Sequence, residues 1–308
     1  MVRPFGPGDL RSFFNSDRSL WRNAAKARDN LVAGEGQFLS LQLIAEQWFW
    51  LRHKQITWIY PQKGGVRGLV STRNLLSSRF WQIHRLLLAG DDAEACCGLL
   101  DTVSRYGVEH SVQRIFLRLE HSDSLESAAR QVGFHPYLVE LLYRADGVGN
   151  SRPVLDPGFR PKSAGDDYSL FQLYHASAPD SVRRLGALSF AEWSQTRERP
   201  SLAHRVREFV YYGESEIKCW LRLHTHSRKG LFEIMLHPSE EANIEAMADF
   251  CLSQMRGCTT ALSLVPAFQT GLQRALSARG FQAVAEYCTM VKELAPKVVQ
   301  PSLAPIRA

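Results

Sequence analysis

Residues 261–292 read ALSLVPAFQTGLQRALSARGFQAVAEYCTMVK. Three elements follow from this stretch. The apolar run 260–265 is the length of a buried strand, and 269–278 carries apolar residues at helical spacing. Residues 284–292 return to strand-like alternation. Gly280 is placed to adopt the left-handed backbone that ends the helix. Residues 114–144 read RIFLRLEHSDSLESAARQVGFHPYLVELLYR and repeat the pattern. Aligning Gly133 and Phe134 with Gly280 and Phe281 also pairs Leu117 with Leu264, Leu125 with Leu272 and Ala128 with Ala275.

Working outward, RPFGPGDLRSFF at 3–14 matches RPKSAGDDYSLF at 160–171 in six of twelve positions: Arg3/Arg160, Pro4/Pro161, Gly8/Gly165, Asp9/Asp166, Ser12/Ser169 and Phe14/Phe171. Two matches in the same order at both ends of each half indicate a duplication. The expected organisation is one copy over 1–145, a linker over 146–158, a second copy over 159–294 and a flexible tail over 295–308. The linker is rich in Gly, Pro, Asn and Asp, which interrupt helices and inner strands.

The remaining elements follow from periodicity. In the second copy they are a strand at 159–162, a helix capped by Asp166 or Asp167 and running to about 178, and a helix at 181–194. Strands at 208–212, 216–225 and 231–237 and a helix at 244–255 come next. In the first copy, strands are expected at 56–60, 66–72, 80–87, 114–119 and 137–144, and helices at 93–106 and 124–131. Residues 11–50 are expected to supply the opening helices. The fold class is α+β, a mixed, mostly antiparallel sheet flanked by helices.

Composition narrows the function classes. The chain has 308 residues, 45% hydrophobic and 22% charged, as in ordinary globular proteins. The longest apolar window, 39–51, is interrupted by Gln42, Glu46 and Gln47, so no membrane span is expected. The N-terminal residues leave no room for a signal-peptide core, and a cytoplasmic location is expected. The net charge of +6 contains no Lys/Arg run longer than two, which disfavours nucleic acid as a partner. The six cysteines lack a Cys-x-x-Cys spacing, and reduced, mostly buried thiols are expected. Trp48, Trp50, His53 and Trp58 read as a core or interdomain cluster.

The order β-α-α-β-β-β-α-β-α-β resembles the GNAT superfamily of N-acetyltransferases. The resemblance rests on the opening Arg-Pro-x-x-x-Gly-Asp and on the closing strand, helix, Gly-Phe, strand. It implies two tandem GNAT-like acyl-CoA N-acyltransferase folds, with acetyl-CoA as cosubstrate and a small-molecule or peptide amine as acceptor. It further implies a cleft beside the fourth strand and a glycine-rich turn, Arg/Gln-x-x-Gly-x-Gly/Ala, whose N–H groups hold the pyrophosphate.

Here the sequence departs from the family pattern. Residues 237–244 read HPSEEANI, without glycine and with Glu240 and Glu241. Residues 88–95, LAGDDAEA, keep Gly90 but carry Asp91, Asp92 and Glu94. Such carboxylates oppose a pyrophosphate, or serve as helix caps and first-turn charges. The tyrosine that many members place five residues before the Gly-Phe phenylalanine is replaced by Ala129 and Leu276.

The candidate site lies in the second copy. Glu233 shares a strand face with Leu231, Met235 and His237. A carboxyl raised in pKa beside an apolar cleft can accept a proton from an amine; an ion pair with Arg222 or Lys218 is the alternative. Tyr287 is the candidate proton donor to a thiolate, with a core position as its alternative. The resemblance implies that Met235, Leu236, His237, Asn243 and Ile244 border the donor. His84 and Arg85 occupy the corresponding strand of the first copy. Arg205, Arg207 and Arg274 are distant cations that can grip phosphate. His224 and His226, with His237, have only a partial zinc spacing, and no metal is expected. Two readings remain open: a GNAT-like N-acetyltransferase, and a catalytically inactive GNAT-fold module that binds a ligand or partner in the cleft.

Overall fold

Both copies open with the same clamp. Arg3 reaches Asp9 through two bonds of 2.6 and 2.8 Å, and Asp9 accepts from the Gly6 N–H at 2.8 Å. Arg160 reaches Asp166 at 2.6 and 2.9 Å, and Asp166 accepts from the Ser163 N–H at 2.7 Å. The Arg-Pro-x-x-x-Gly-Asp pattern is therefore a bidentate ion pair that ties a strand to the following turn. Of the two expected caps, Asp166 and Asp167, Asp166 is the N-cap of the helix that starts at Asp167, but its carboxylate turns back to Ser163 rather than bonding a helix N–H.

The computed structural model describes residues 1–6, 8–9, 21–33, 56–63, 65–148, 158–198, 205–213 and 216–295. The first copy contains β1 (Arg3–Pro4), β2 (Trp21–Asn23), α1 (Arg28–Ala33), β3 (Ile56–Gln62), β4 (Gly65–Asn74) and β5 (Phe80–Ala89). It continues with α2 (Ala93–Glu109), β6 (Arg114–Glu120), α3 (Asp123–Gln131) and β7 (His135–Asp146). The second contains β8 (Phe159–Pro161), α4 (Asp167–Ser177), α5 (Asp180–Gly186), α6 (Phe190–Gln195), β9 (Arg205–Gly213), β10 (Glu216–His226) and β11 (Lys229–Leu236). A 3-10 turn, Pro238–Asn243, leads into α7 (Ile244–Ser253), β12 (Thr260–Pro266), α8 (Thr270–Ala278) and β13 (Gln282–Glu293).

The helix expected over 181–194 is two helices, because Ala187 is extended at φ −165° and Ser189 caps the next turn. Of the opening helices expected over 11–50, residues 21–23 form a strand and 28–33 a helix, and much of the rest lies outside the described residues. So do Trp48, Trp50, His53, residues 149–157 of the linker and the tail from 296. Gly133 and Gly280 have φ of +85° and +82°, and the following Phe134 and Phe281 donate back to Ala129 and Leu276 at 3.0 and 3.1 Å. The helix-ending role expected of Gly280 is met in both copies.

All strands among the described residues join one mixed, mostly antiparallel sheet, ordered β1-β3-β4-β5-β6-β13-β7-β12-β11-β10-β9-β8, with β2 paired to β5. Neither closing strand pairs with the strand that precedes it in sequence. β13 lies against β6, with Tyr287 opposite Glu120 and Glu293 opposite Arg114, and β7 lies against β12, with Glu140 opposite Pro266. The two exchanged strands also pair with each other. Each core is completed by the other copy. Cys288, Met290 and Leu294 pack with Leu99, Leu117 and Phe134, while Tyr143 and Ala145 pack with Phe232, Phe250 and Phe281. All six cysteines are free thiols, five of them buried. Among the described residues no helix is long and apolar enough to cross a membrane.

Candidate functional site

Each copy contains one parallel strand pair that opens along its length. β11 and β12 are in register from Lys229 opposite Thr260 to Phe232 opposite Ser263, and then diverge. β5 and β6 are in register from Phe80 opposite Arg114 to Ile83 opposite Leu117, and then diverge. Past the fork, β11 keeps its pairing with β10 through Leu236, and the His237 N–H donates to the Lys218 carbonyl at 2.8 Å. Backbone polar groups alternate sides along a strand. With His237 facing β10, Ile234 and Leu236 direct their N–H and C=O groups toward the opening.

The first-copy opening is filled from within. Trp21, Arg22 and Asn23 pair with Ala89, Leu88 and Leu87 of β5. The Ala24 N–H then donates to the Leu86 carbonyl at 2.8 Å, Ala25 bridges to Leu119 of β6, and the Lys26 N–H donates to the Arg118 carbonyl at 2.9 Å. Residues 21–26 thus cross the fork from β5 to β6. Ala24, Ala25 and Ala27 are 4%, 0% and 2% exposed; only small side chains fit so close to two strands. Among the described residues, no strand enters the opening between β11 and β12.

The turn beyond β11 is held by its own side chains. His237 Nδ1 accepts from the Ser239 N–H at 3.2 Å and bonds Ser239 Oγ at 2.7 Å. Asn243 donates to Glu240 at 2.7 Å. Glu241 lies 3.5 Å from Arg274 and against the first turn of α8, where a Cβ on Gly271 would come within 2.7 Å of its Oε1. In the first copy, Asp92 caps α2 by accepting from the Ala95 N–H and takes two bonds from Arg67. There the acidic turn is a helix cap, as one of the two sequence readings expected.

No protein-family model and no curated protein matches this sequence. Solved structures do. A GCN5-related N-acetyltransferase from Sphaerobacter thermophilus superposes with a TM-score of 0.54 at 15% identity, covering 97% of this chain and 96% of that one. The chain has the GNAT fold. A tandem GNAT protein from the clavulanic acid biosynthesis pathway is also similar, with a TM-score of 0.49 at 10% identity over 79% of this chain and 84% of that one.

Within this GNAT fold, Glu233 is not the raised carboxyl that its sequence position suggested. Its expected alternative partners also differ from those found. Arg222 stands opposite it in the ladder but turns to Glu208, at 3.9 Å, and to the Glu198 carbonyl, at 3.3 Å; Lys218 pairs with Glu216. Glu233 is held instead by Arg28 of α1, whose Nε reaches both carboxylate oxygens at 2.7 and 2.8 Å. Arg28 also pairs with Glu198, which accepts from Gln82 at 2.8 Å and lies 3.4 Å from Arg73. Arg73 in turn holds Asp29 at 2.7 Å.

Burial pushes the Glu233 carboxyl up, but Arg28, then Arg222 and His224, outweigh it and hold the group below the ordinary glutamate range. Glu198 is held lower still, as burial is overcome by Arg28, Arg73, Arg118 and Arg222. His224 lies 4.0 Å from Glu233, and burial, then Arg222, pushes its pKa down to about 4. An ionised, bidentately bonded carboxylate is a poor proton acceptor.

Tyr287 is 3% exposed and packs with Val32, Leu142, Leu231, Leu262 and Leu264. Val32 of α1 and Leu231 of β11 are in that cluster, so Tyr287 packs against the same helix and strand that carry Arg28 and Glu233. Leu276 and Ala129, at the positions of the missing tyrosine, are fully buried. Of the expected donor-binding residues, Leu236 faces the opening beyond the fork, Met235 faces β10 and packs toward Leu170 and Leu173, and His237, Asn243 and Ile244 form the turn and the start of α7. Among the described residues, no three His, Cys, Asp or Glu side chains are grouped to hold a metal.

Proposed function

We propose that the second copy, residues 159–294, binds the thioester arm of an acyl-CoA along β11 and passes the acyl group to a small-molecule or peptide amine. The observation that carries this reading is the asymmetry of the two forks. One is crossed by residues 21–26, and the other leaves the backbone groups of Ile234 and Leu236 facing an opening. An extended amide-bearing arm can add to such an edge as a strand does. The amine nitrogen attacks the thioester carbonyl, the C–N bond forms, the C–S bond breaks, and the sulfur leaves as thiolate. Glu233 takes no part, so the amine must arrive neutral and lose its second proton to solvent. Six free thiols and a CoA thioester suit a reducing, cytoplasmic setting.

A second reading is favoured by the turn at Pro238–Asn243. The Ser239 and Glu240 N–H groups are bonded within the turn, and Glu241 covers the start of α8. A carboxylate about 5 Å from a phosphate opposes it by about 1 kcal/mol in water and about 3 kcal/mol at an effective dielectric near 20. The residues present fit the arm but not the pyrophosphate. A cleft module that binds without catalysing would have this form.

Calorimetric titration with acetyl-CoA and longer acyl-CoAs separates the two readings. Saturable binding is expected, weakened in Leu236→Pro, which removes one N–H from the free edge of β11. No saturable heat with any donor overturns the acyltransferase reading and leaves the binding module.

A further inference from the structure

A cavity of about 640 Å³ opens at the opposite end of β11 from the fork. Its walls come from the start of β9 (Arg205, Arg207), the β10–β11 turn (Thr225, Ser227) and the C-terminal end of α7 with the loop after it (Ser253 to Cys258). α7 has ten residues, so about 15 Å of helix separates this cavity from the turn where the donor would lie.

Three arginines, Arg205, Arg207 and Arg256, line the cavity, and no Asp or Glu does. Many of the chain's other arginines have acidic partners: Arg3, Arg67, Arg114, Arg160, Arg197 and Arg279 each hold an Asp or Glu. Among the described residues the cavity's three do not. Arg207 donates to the Gln254 carbonyl. Residues 199–204, RPSLAH, which precede Arg205 in the chain, contain no acid.

A helix C-terminus attracts cations, and that is the competing account of the cluster. It is too weak. A helix end carries about half a negative charge, against three positive ones. The last carbonyls are also already bonded: Phe250 by Ser253 Oγ at 2.6 Å, Cys251 by the Gln254 N–H at 3.1 Å, and Met255 by the Cys258 N–H at 3.0 Å. A net charge above two remains in a concave site of ligand size. Guanidinium forks match phosphate oxygens, and Ser227, Thr225 and Gln254 add neutral polar groups at the rim.

We propose that this cavity binds a phosphorylated small molecule carrying at least two negative charges, at a site separate from the acyl cleft. The test is calorimetric titration of the full chain with inorganic pyrophosphate at low salt, for the wild type, Arg205→Gln, Arg256→Gln and the double variant. Arg205 and Arg256 are exposed, so the fold should survive, and thermal melts check it. Saturable binding is expected, with about tenfold weaker affinity for each arginine removed. Arg105→Gln, on the exposed face of α2 in the first copy, should bind as the wild type does. Absent binding at millimolar pyrophosphate overturns the proposal, as does a folded double variant that binds undiminished. An oligonucleotide that binds where pyrophosphate does not would mean a flat basic surface and also overturn it. Acetyl-CoA titrations are independent of all these outcomes.

Discussion

Arg28 stands 205 residues from Glu233 in the chain and holds both of its carboxylate oxygens through Nε, at 2.7 and 2.8 Å, with Nη2 also 2.7 Å from Oε1. The pair joins α1 of the first copy to β11 of the second. Both side chains are largely buried, at 21% and 13% exposure. Buried charges of this kind are costly to orphan. Glu233→Gln is therefore expected to lower stability by about 2–3 kcal/mol, less than the ~3–5 kcal/mol of a wholly orphaned charge, because Arg28 keeps Glu198. Urea unfolding measures the loss. An unchanged midpoint would show that the pair is not formed in solution.

The same cluster sets the acid limb of stability. Glu198 and Glu233 have folded pKa values below the ordinary 4.5, so their contribution is present above that pH and lost as pH falls through the folded values. His224 acts earlier. Its folded pKa is about 4 against an ordinary 6.5, so below pH 6.5 the unfolded chain takes up a proton that the folded chain does not. Stability should begin to fall near pH 6.5, before any carboxylate titrates. His224→Phe should remove up to about 3 kcal/mol of that loss between pH 7 and 4. His84, also pushed well down by burial, retains part of the slope. Melts across this pH range decide it, and parallel curves for variant and parent would refute the assignment.

Much of the fold was legible from local chemistry. Strand alternation, Gly133 and Gly280 at helix ends, and the paired Arg3-Asp9 and Arg160-Asp166 are all short-range signals. The candidate site was less so. Glu233 was placed on the right strand face, but its partner comes from a six-residue helix, Arg28–Ala33, whose apolar pattern is too short to locate. Ala24 and Ala25 fit between β5 and β6 because their side chains are small, but without the flanking strands two alanines do not mark a close approach. The exchange of β7 and β13 left no signal, because either strand presents the same alternation to β6 or to β12.

That exchange has its own consequence. Met290 of β13 and Leu294 just beyond it are buried with the first copy's Leu99 and Phe134, each contributing about 1.5–3 kcal/mol of apolar burial. The chain cut within residues 149–157 should still elute as one 1:1 complex in gel filtration. Salt should not separate the fragments, because the contact is an apolar core and a strand ladder rather than surface charge. Fragments that part into two folded monomers would mean that each copy closes with its own last strand.

Residues 21–26 are expected to act as a fixed strand of the first copy rather than a removable cover. Asn23 Oδ1 accepts the buried Leu86 N–H at 2.9 Å, and an unpaired buried amide costs about 1–3 kcal/mol. Ala25, fully buried against Leu119, has no space for a longer side chain, and Ala25→Leu should cost about 1–3 kcal/mol by overpacking. Both Asn23→Ala and Ala25→Leu should speed amide exchange at Leu86 and Leu88 while leaving acyl-CoA binding in the second copy unchanged. If either variant instead gained a second acyl-CoA site, the segment would be a displaceable lid over a working cleft. The first copy's turn argues against that outcome, because Asp92 is already committed to the α2 N-terminus and to Arg67 at 2.8 Å. A pyrophosphate there would have to displace an ion pair and a helix cap together.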